Sequence, residues 1–419
     1  MRLTTATLCL ALLATASCTH GSNRQENPSS PPSTDLAERG RALAKRVIIA
    51  DGHIDVPYRL QEKLGPDGEP TEDVSQRTAQ GDFDYPRAVE GGLDVAFMSI
   101  YVPAELQQKP GASKALADSL IDMVEKLARK APEKFAMARS VEESRRNSQE
   151  GKISFALGIE NGAALEDKLE NVAHFHQRGV RYITLTHSKD NLLSDASFNT
   201  GKRTWNGLSP YGRQVVAEMN RVGIMVDVSH LSDDAIRQAV EVSQTPVIAS
   251  HSSCRHFTPG FERNISDELI RAVAAKGGVV MINFGSGFLT QAANAYELEI
   301  RKAAQSFAQE HGLTRESPEV AVFMETYMRE HLAPFAKVED VADHIDHVVK
   351  LVGIDHVGLG SDFDGVGPTL PIGLKDVSQY PNLFRVLLER GYSEADIEKI
   401  ASGNVFRVWQ RVEVHASGR

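Results

Sequence analysis

Cysteine is scarce in this chain. Three occur in 419 residues, and Cys9 and Cys18 both lie near the start. Cys254 stands alone in the remainder, so no disulfide can form within the body and the fold must rest on its core. A basic block is also missing, and the formal net charge is −10. That argues against a nucleic-acid partner, because phosphate recognition needs clustered lysine and arginine. Long apolar runs are absent too: residues 8–14 are apolar but too few to span a bilayer as a permanent helix. No repeat and no break in composition divides the chain into two domains. What is present, 41% hydrophobic and 24% charged residues, is the make-up of an ordinary globular protein with a sizeable core.

The N-terminus reads as an export signal. Arg2 supplies positive charge, residues 8–14 the apolar segment, and Thr15-Ala16-Ser17 the small residues before Cys18. The arrangement resembles a bacterial lipoprotein signal spanning 1–18, with Cys18 as the lipidated residue. Thr15 departs from the leucine usual there, and an ordinary secretory cleavage nearby is the alternative. Residues 19–34 are polar and rich in Ser and Pro, too poor in apolar surface to order themselves, and are expected to form a flexible tether. The expected location is therefore outside the cytoplasm, anchored by lipid to the cell envelope, with the folded body at 35–419.

Within that body, short Val- and Ile-rich runs alternate with longer helical segments. The candidate strands are 47–50, 95–101, 153–157, 182–185, 224–228, 246–249, 278–283 and 356–360. Nearly continuous apolar character marks strands buried on both faces, as in a parallel sheet. Segments 113–130, 211–222 and 342–352 carry apolar residues at helical spacing. Eight such alternations predict an α/β fold, a single (β/α)8 barrel, over the runner-up open doubly wound sheet. Residues 288–340 are too long for a simple connection. They are expected to form a helical insertion between the seventh and eighth strands, with helices near 292–309 and 319–331.

Chemistry gathers where these strands end. The first runs into Asp51-Gly52-His53-Ile54-Asp55 and the third into Gly158-Ile159-Glu160. Others run into Thr186-His187, Ser229-His230, Ser250-His251 and Ser361-Asp362-Phe363-Asp364. In an extended chain His53 and Asp55 point the same way. Catalytic groups of such barrels sit at the C-terminal ends of the strands, around one shared mouth. Any one of these residues has an ordinary reading: a structural histidine, a helix cap at Glu160, a turn at Asp362 or Asp364. Chance does not explain polar residues at the same end of six strands. Histidines with carboxylates suit zinc, and a set this large could hold two ions sharing one carboxylate.

With these motifs, together with Arg263-Asn264, Gly360-Ser361-Asp362-Phe363-Asp364-Gly365 and Gly403-Asn404-Val405, the chain resembles the membrane dipeptidases, zinc peptidases of the amidohydrolase superfamily. The resemblance covers essentially the whole body. It implies hydrolysis of dipeptides, including those with a C-terminal D-residue. It also implies two Zn2+ per subunit bridged by Glu160 and by a water or hydroxide that attacks the peptide bond. By the same resemblance His53 and Asp55 would bind one ion, and His230 and His251 the other. His187 would contact substrate, Arg263 would take its carboxylate, and Asp362, rather than Asp364, would shuttle a proton. A homodimer is also implied as an option. The alternative is a related binuclear amidohydrolase acting on another amide, lactam or lactone. Lys189 stands where mammalian members carry a disulfide cysteine, a change remote from the metal ligands.

Overall fold

The computed structural model of the chain describes residues 33–199, 201–314 and 317–418. The expected signal at 1–18 with Cys18, and residues 19–32 of the expected tether, lie outside the described residues; positions 33 and 34, expected to end the tether, instead begin a helix. The described chain opens on the helix Ser33–Ala44. This helix buries Leu36 and Leu43 and packs on the helix Tyr380–Glu389. Gly40 permits the approach, since a methyl group there would lie 2.8 Å from the carbonyl oxygen of Pro381.

Nine strands follow: β1 (Ile49–Ile54), β2 (Leu93–Tyr101), β3 (Phe135–Met137), β4 (Ile153–Glu160), β5 (Val180–Thr184), β6 (Met225–Asp227), β7 (Ile248–Ala249), β8 (Val279–Ile282) and β9 (Val357–Leu359). They form one parallel sheet in the order β2-β1-β9-β8-β7-β6-β5-β4-β3, and the pairing of β2 with β4 closes it. The closed wall has eight strands, as expected of a (β/α)8 barrel. β3 was not foreseen. It pairs only with the first three residues of β4, on the side that β5 takes over further along. Three residues, Phe-Ala-Met, carry no periodicity from which a strand could be read.

Alternation along the strands separates two apolar layers. Ala96, Met98 and Ile100 of β2 join the main core between sheet and helices, with Leu157 and Ile159 of β4. Val95 and Phe97 turn the other way, into the barrel, with Ala50, Ala156, Tyr182, Met225, Ile248, Val279 and Met281. These inward residues come mostly from the beginnings of the strands. They meet Trp409, Phe406 and Val412 of the C-terminal helix Asn404–Ala416, which closes the N-terminal end of the barrel. Trp409 is fully buried there, and truncating so large a buried ring costs about 3–5 kcal/mol. With one end plugged, the other is left for chemistry.

The segment 288–340 is helical, with Gln291–Glu310 and Pro318–Glu330 packed on each other around Ala304, Ala308, Val320, Phe307 and Phe323. This small core is separate from the barrel's layers. No helix among the described residues is long and apolar enough to cross a membrane.

Candidate metal centre

Glu160, the last residue of β4, is the hub of the open end. Its Oε1 lies 3.0 Å from His230 Nε2, 3.3 Å from His251 Nε2 and 3.5 Å from His187 Nε2. Its Oε2 lies 3.5 Å from His53 Nε2, which is 3.3 Å from Asp55 Oδ2. The donor atoms fall into three overlapping groups: His53 with Glu160 and His251, Glu160 with His187 and His230, and His53 with Asp55 and Asp362. All but His187 are buried, and His187 is partly exposed at the rim.

Strict alternation would not bring His53 here. Ala50 and Gly52 face the barrel interior, so His53 should face outward with Ile49 and Asp51. Between Asp51 and Ile54, however, β1 advances three residues while β2 advances two. This extra residue is a β-bulge, which re-aims the side chains beyond it. Asp51, left on the outer side, accepts from the backbone N–H of His53 and of Ser361 and from the Tyr380 hydroxyl, locking the bulge to the end of β9. Beyond it, Asp55 N–H bonds the Phe363 carbonyl and Asp362 N–H the His53 carbonyl, so the loops carrying His53, Asp55 and Asp362 are laced together.

Two hydrogen-bond chains fix the imidazoles. The Tyr182 hydroxyl donates to the Gly52 carbonyl at 3.0 Å and lies 2.8 Å from His53 Nδ1. A carbonyl only accepts, so the single phenolic proton is committed and Nδ1 of His53 must carry its own. Likewise the Ser250 hydroxyl donates to the Asp227 carboxylate at 2.6 Å and lies 2.7 Å from His251 Nδ1. Both rings therefore hold Nδ1–H outward and turn the Nε2 lone pair toward Glu160. Asp227 is itself anchored by the backbone N–H groups of Ser229 and Ser250. Tyr182 reaches across the barrel only because residue 158 is glycine: a β-carbon there would sit 2.0 Å from its ring.

Lone pairs aimed at a carboxylate repel unless positive charge lies between them. His53 Nε2 is buried with no hydrogen-bond partner among the described residues. Burial, with the charge of Arg263 and neighbouring imidazoles, holds His230 and His251 well below the ordinary imidazole range. Glu160 is held well below the usual carboxylate range: burial opposes its charge, and His53, His187 and the other imidazoles outweigh burial. With no ion between them, burial opposes charge on the His53 ring, but Asp55 and Glu160 hold it well above the ordinary imidazole range. A charged carboxylate facing several imidazole Nε2 atoms is the donor set of a metal centre with N and O ligands. Orienting bonds from the far ring nitrogens are the usual support of such ligands.

Two further predicted residues, Asp362 and Arg263, line the same space. Asp362 receives the Asn283 amide on Oδ2 at 2.7 Å, and burial, with Asp55 and Glu160 nearby, pushes it up to about 8. Gly365 makes room for it, since a β-carbon there would lie 2.2 Å from Asp362 Oδ1 and 2.3 Å from Asp55 Oδ2. Asp364 points elsewhere, to Arg59 and the backbone N–H of Asp82. Arg263 is buried, donating to Ser252 Oγ, to the His251 carbonyl and toward His230 Nε2, with its Nε–H unpartnered among the described residues. Burial lowers it to about 10, which still leaves it charged at neutral pH. His230 and Asp362 both have positive φ, 68° and 63°. Such backbone strain costs of order 1–3 kcal/mol per residue and tends to collect at functional sites.

A parallel barrel plugged at one end and carrying this donor cluster at the other has the architecture of a metal-dependent hydrolase. Comparison with known proteins narrows the class. Residues 37–418 match the family model described as membrane dipeptidase, peptidase family M19. Mouse dipeptidase 3 is 30% identical over 382 residues, covering 90% of this chain and 67% of that protein. The crystal structure of the probable dipeptidase PvdM from Pseudomonas aeruginosa is 27% identical with a TM-score of 0.78, covering 91% of this chain and 100% of that one. A metallo peptidase from Rhodobacter sphaeroides, liganded with a phosphinate mimic of the dipeptide L-Ala-D-Ala, is 26% identical with a TM-score of 0.70, covering 87% of this chain and 99% of that one. This chain belongs to the membrane dipeptidase family, and is a metallopeptidase that hydrolyses dipeptides.

All the metal, substrate and proton-transfer residues singled out in the sequence lie in this one space except Asp364, the unfavoured alternative; Cys18 lies outside the described residues. The supports Tyr182, Asp227, Ser250 and Asn283 were not assigned roles there. Asp227 could have been noticed, as a carboxylate inside the apolar run 224–228. Tyr182 could not, because a buried tyrosine in a strand is ordinary core.

Proposed function

We propose that the enzyme works with two zinc ions. His53 and Asp55 hold one, His230 and His251 the other, and Glu160 both. The observation that carries this reading is the pair of fixed Nδ1–H tautomers, which present two lone pairs to one buried carboxylate. When bound, the ions would activate water and polarise the scissile carbonyl. Arg263 holds the free carboxylate of the dipeptide, a task suited to a guanidinium. Its unpartnered Nε–H supports this assignment. His187, at the rim beside Glu160 and edge-on to Tyr101, donates to the carbonyl oxygen as negative charge develops there. Asp362, whose carboxyl burial brings to titrate near neutrality, accepts a proton in its ionised form from the attacking water and returns it to the leaving amine.

Substrates extend to dipeptides with a C-terminal D-residue, a reading supported by the Rhodobacter relative described with an L-Ala-D-Ala mimic. The enzyme is exported and held at the cell envelope by lipid on Cys18. The substrate reading is tested by comparing L,L- and L,D-dipeptides with their C-terminal amides. Free dipeptides should be cleaved and the amides poorly bound, with Arg263→Ala raising KM for the former alone. Equal cleavage of the amides would remove the carboxylate clamp and move the substrate to another amide, lactam or lactone.

A further inference from the structure

We propose a third metal site, on the outer surface of the barrel, formed by His256, Asp267 and His347. The three come from separate elements: the turn Arg255–Phe257, the first residue of the helix Asp267–Ala275, and the helix Val338–Val352. One donor atom from each lies within 4.8 Å of the others, and none belongs to the Glu160 cluster. The two imidazoles stack at 4.4 Å between centroids, 21° from parallel, and His347 Nε2 is 2.8 Å from Asp267 Oδ1. Phe257 packs edge-on against both rings, at 4.9 and 5.6 Å, and holds them in place.

Two imidazoles and one carboxylate are the donors of zinc and of neighbouring divalent transition ions. Zinc bonds of about 2.0–2.2 Å place ligand atoms within roughly 4 Å of one another, so the outermost donors close in by about an ångström. The ion replaces the proton between His347 and Asp267, and water completes its shell. It also has structural leverage. His256 lies five residues after His251 on the same loop, and the Cys254 N–H of that loop already bonds His344 Nδ1 of the helix carrying His347. A bound ion therefore clips the loop of an active-site histidine to the helical layer.

The test is zinc stoichiometry of the full protein across a chelator-buffered zinc series, compared with His256→Ala and Asp267→Asn. His256 is exposed, so its truncation leaves the fold intact, which circular dichroism checks. The wild type should bind one equivalent more than His256→Ala, while dipeptide hydrolysis at saturating zinc stays the same in both. Asp267→Asn should shift the extra equivalent to at least tenfold higher free zinc. Equal zinc content in the wild type and His256→Ala at every free concentration overturns the site, whatever the Glu160 cluster binds.

Discussion

Replacing Tyr182 with phenylalanine removes one oxygen and leaves the packing around it intact. The hydroxyl holds two partners, the Gly52 carbonyl and His53 Nδ1–H, and both are buried. Each loses its hydrogen bond in the variant, at about 1–3 kcal/mol per stranded group. Part of that loss falls on metal binding, because His53 is then free to tilt or to move its proton onto Nε2, the atom meant for the ion. Loss of an orienting bond of this kind weakens metal affinity by about 10–100-fold. Tyr182→Phe should therefore lower zinc affinity by that factor in a competition titration against a chromophoric chelator. Turnover should recover toward the wild-type value when zinc is raised. Tyr392→Phe is the control, losing a hydroxyl bond to Asp346, which is no part of the Glu160 cluster. It should lose stability with unchanged zinc affinity. If Tyr182→Phe binds zinc as tightly as the wild type, the tautomer argument is wrong.

Three other outcomes follow from the same geometry. Asp362→Asn should retain its zinc and lose about 10²–10⁴ in kcat, the usual worth of a proton-transfer group; a variant that loses zinc instead would make Asp362 a ligand. Mixing Arg263→Lys with the dipeptide panel should leave KM raised, since an ammonium cannot reproduce the guanidinium fork; full recovery would show that charge alone suffices. His344 gives a pH dependence. Its Nδ1 accepts the Cys254 N–H, Nε2–H donates to the Leu289 carbonyl, and burial lowers it to about 3. The unfolded imidazole takes a proton near 6.5 and the folded one does not. Stability from this exclusion is complete above that value and declines as pH falls toward 3, by up to about 1.4 kcal/mol per pH unit. Urea unfolding of zinc-free protein between pH 7 and 5 should show a shallower acid loss in His344→Gln, and equal slopes would refute the assignment.

The alternation of apolar strands and helices was open to reading because every barrel strand is buried on both faces. Helical periodicity at 113–130 and 211–222 corresponds to the helices Ala112–Lys130 and Pro210–Val222. Strand ends were less legible. β6 and β7 span only Met225–Asp227 and Ile248–Ala249 and pair with each other only at Asp227 and Ile248, because the chain leaves the ladder early to deliver His230 and His251. The ligands could be read from their chemistry and their common place after strands. What turns them inward could not: the bulge at Gly52 depends on register with β2, and the orienting role of Tyr182 depends on a glycine opposite, at position 158. The plugging helix Asn404–Ala416 has an amphipathic pattern that fits many docking sites, and only the closed barrel shows which one it takes.

The central claim is that Glu160 joins two metal ions into one catalytic centre. It is tested most directly by measuring zinc content and L-Ala-D-Ala hydrolysis on the same samples of wild type and Glu160→Ala, before chelation, after it, and after zinc is restored. The wild type should lose activity with its zinc and regain both, while Glu160→Ala should hold neither ion firmly and remain inactive throughout. Undiminished hydrolysis by chelated wild type, or by Glu160→Ala, would contradict the account.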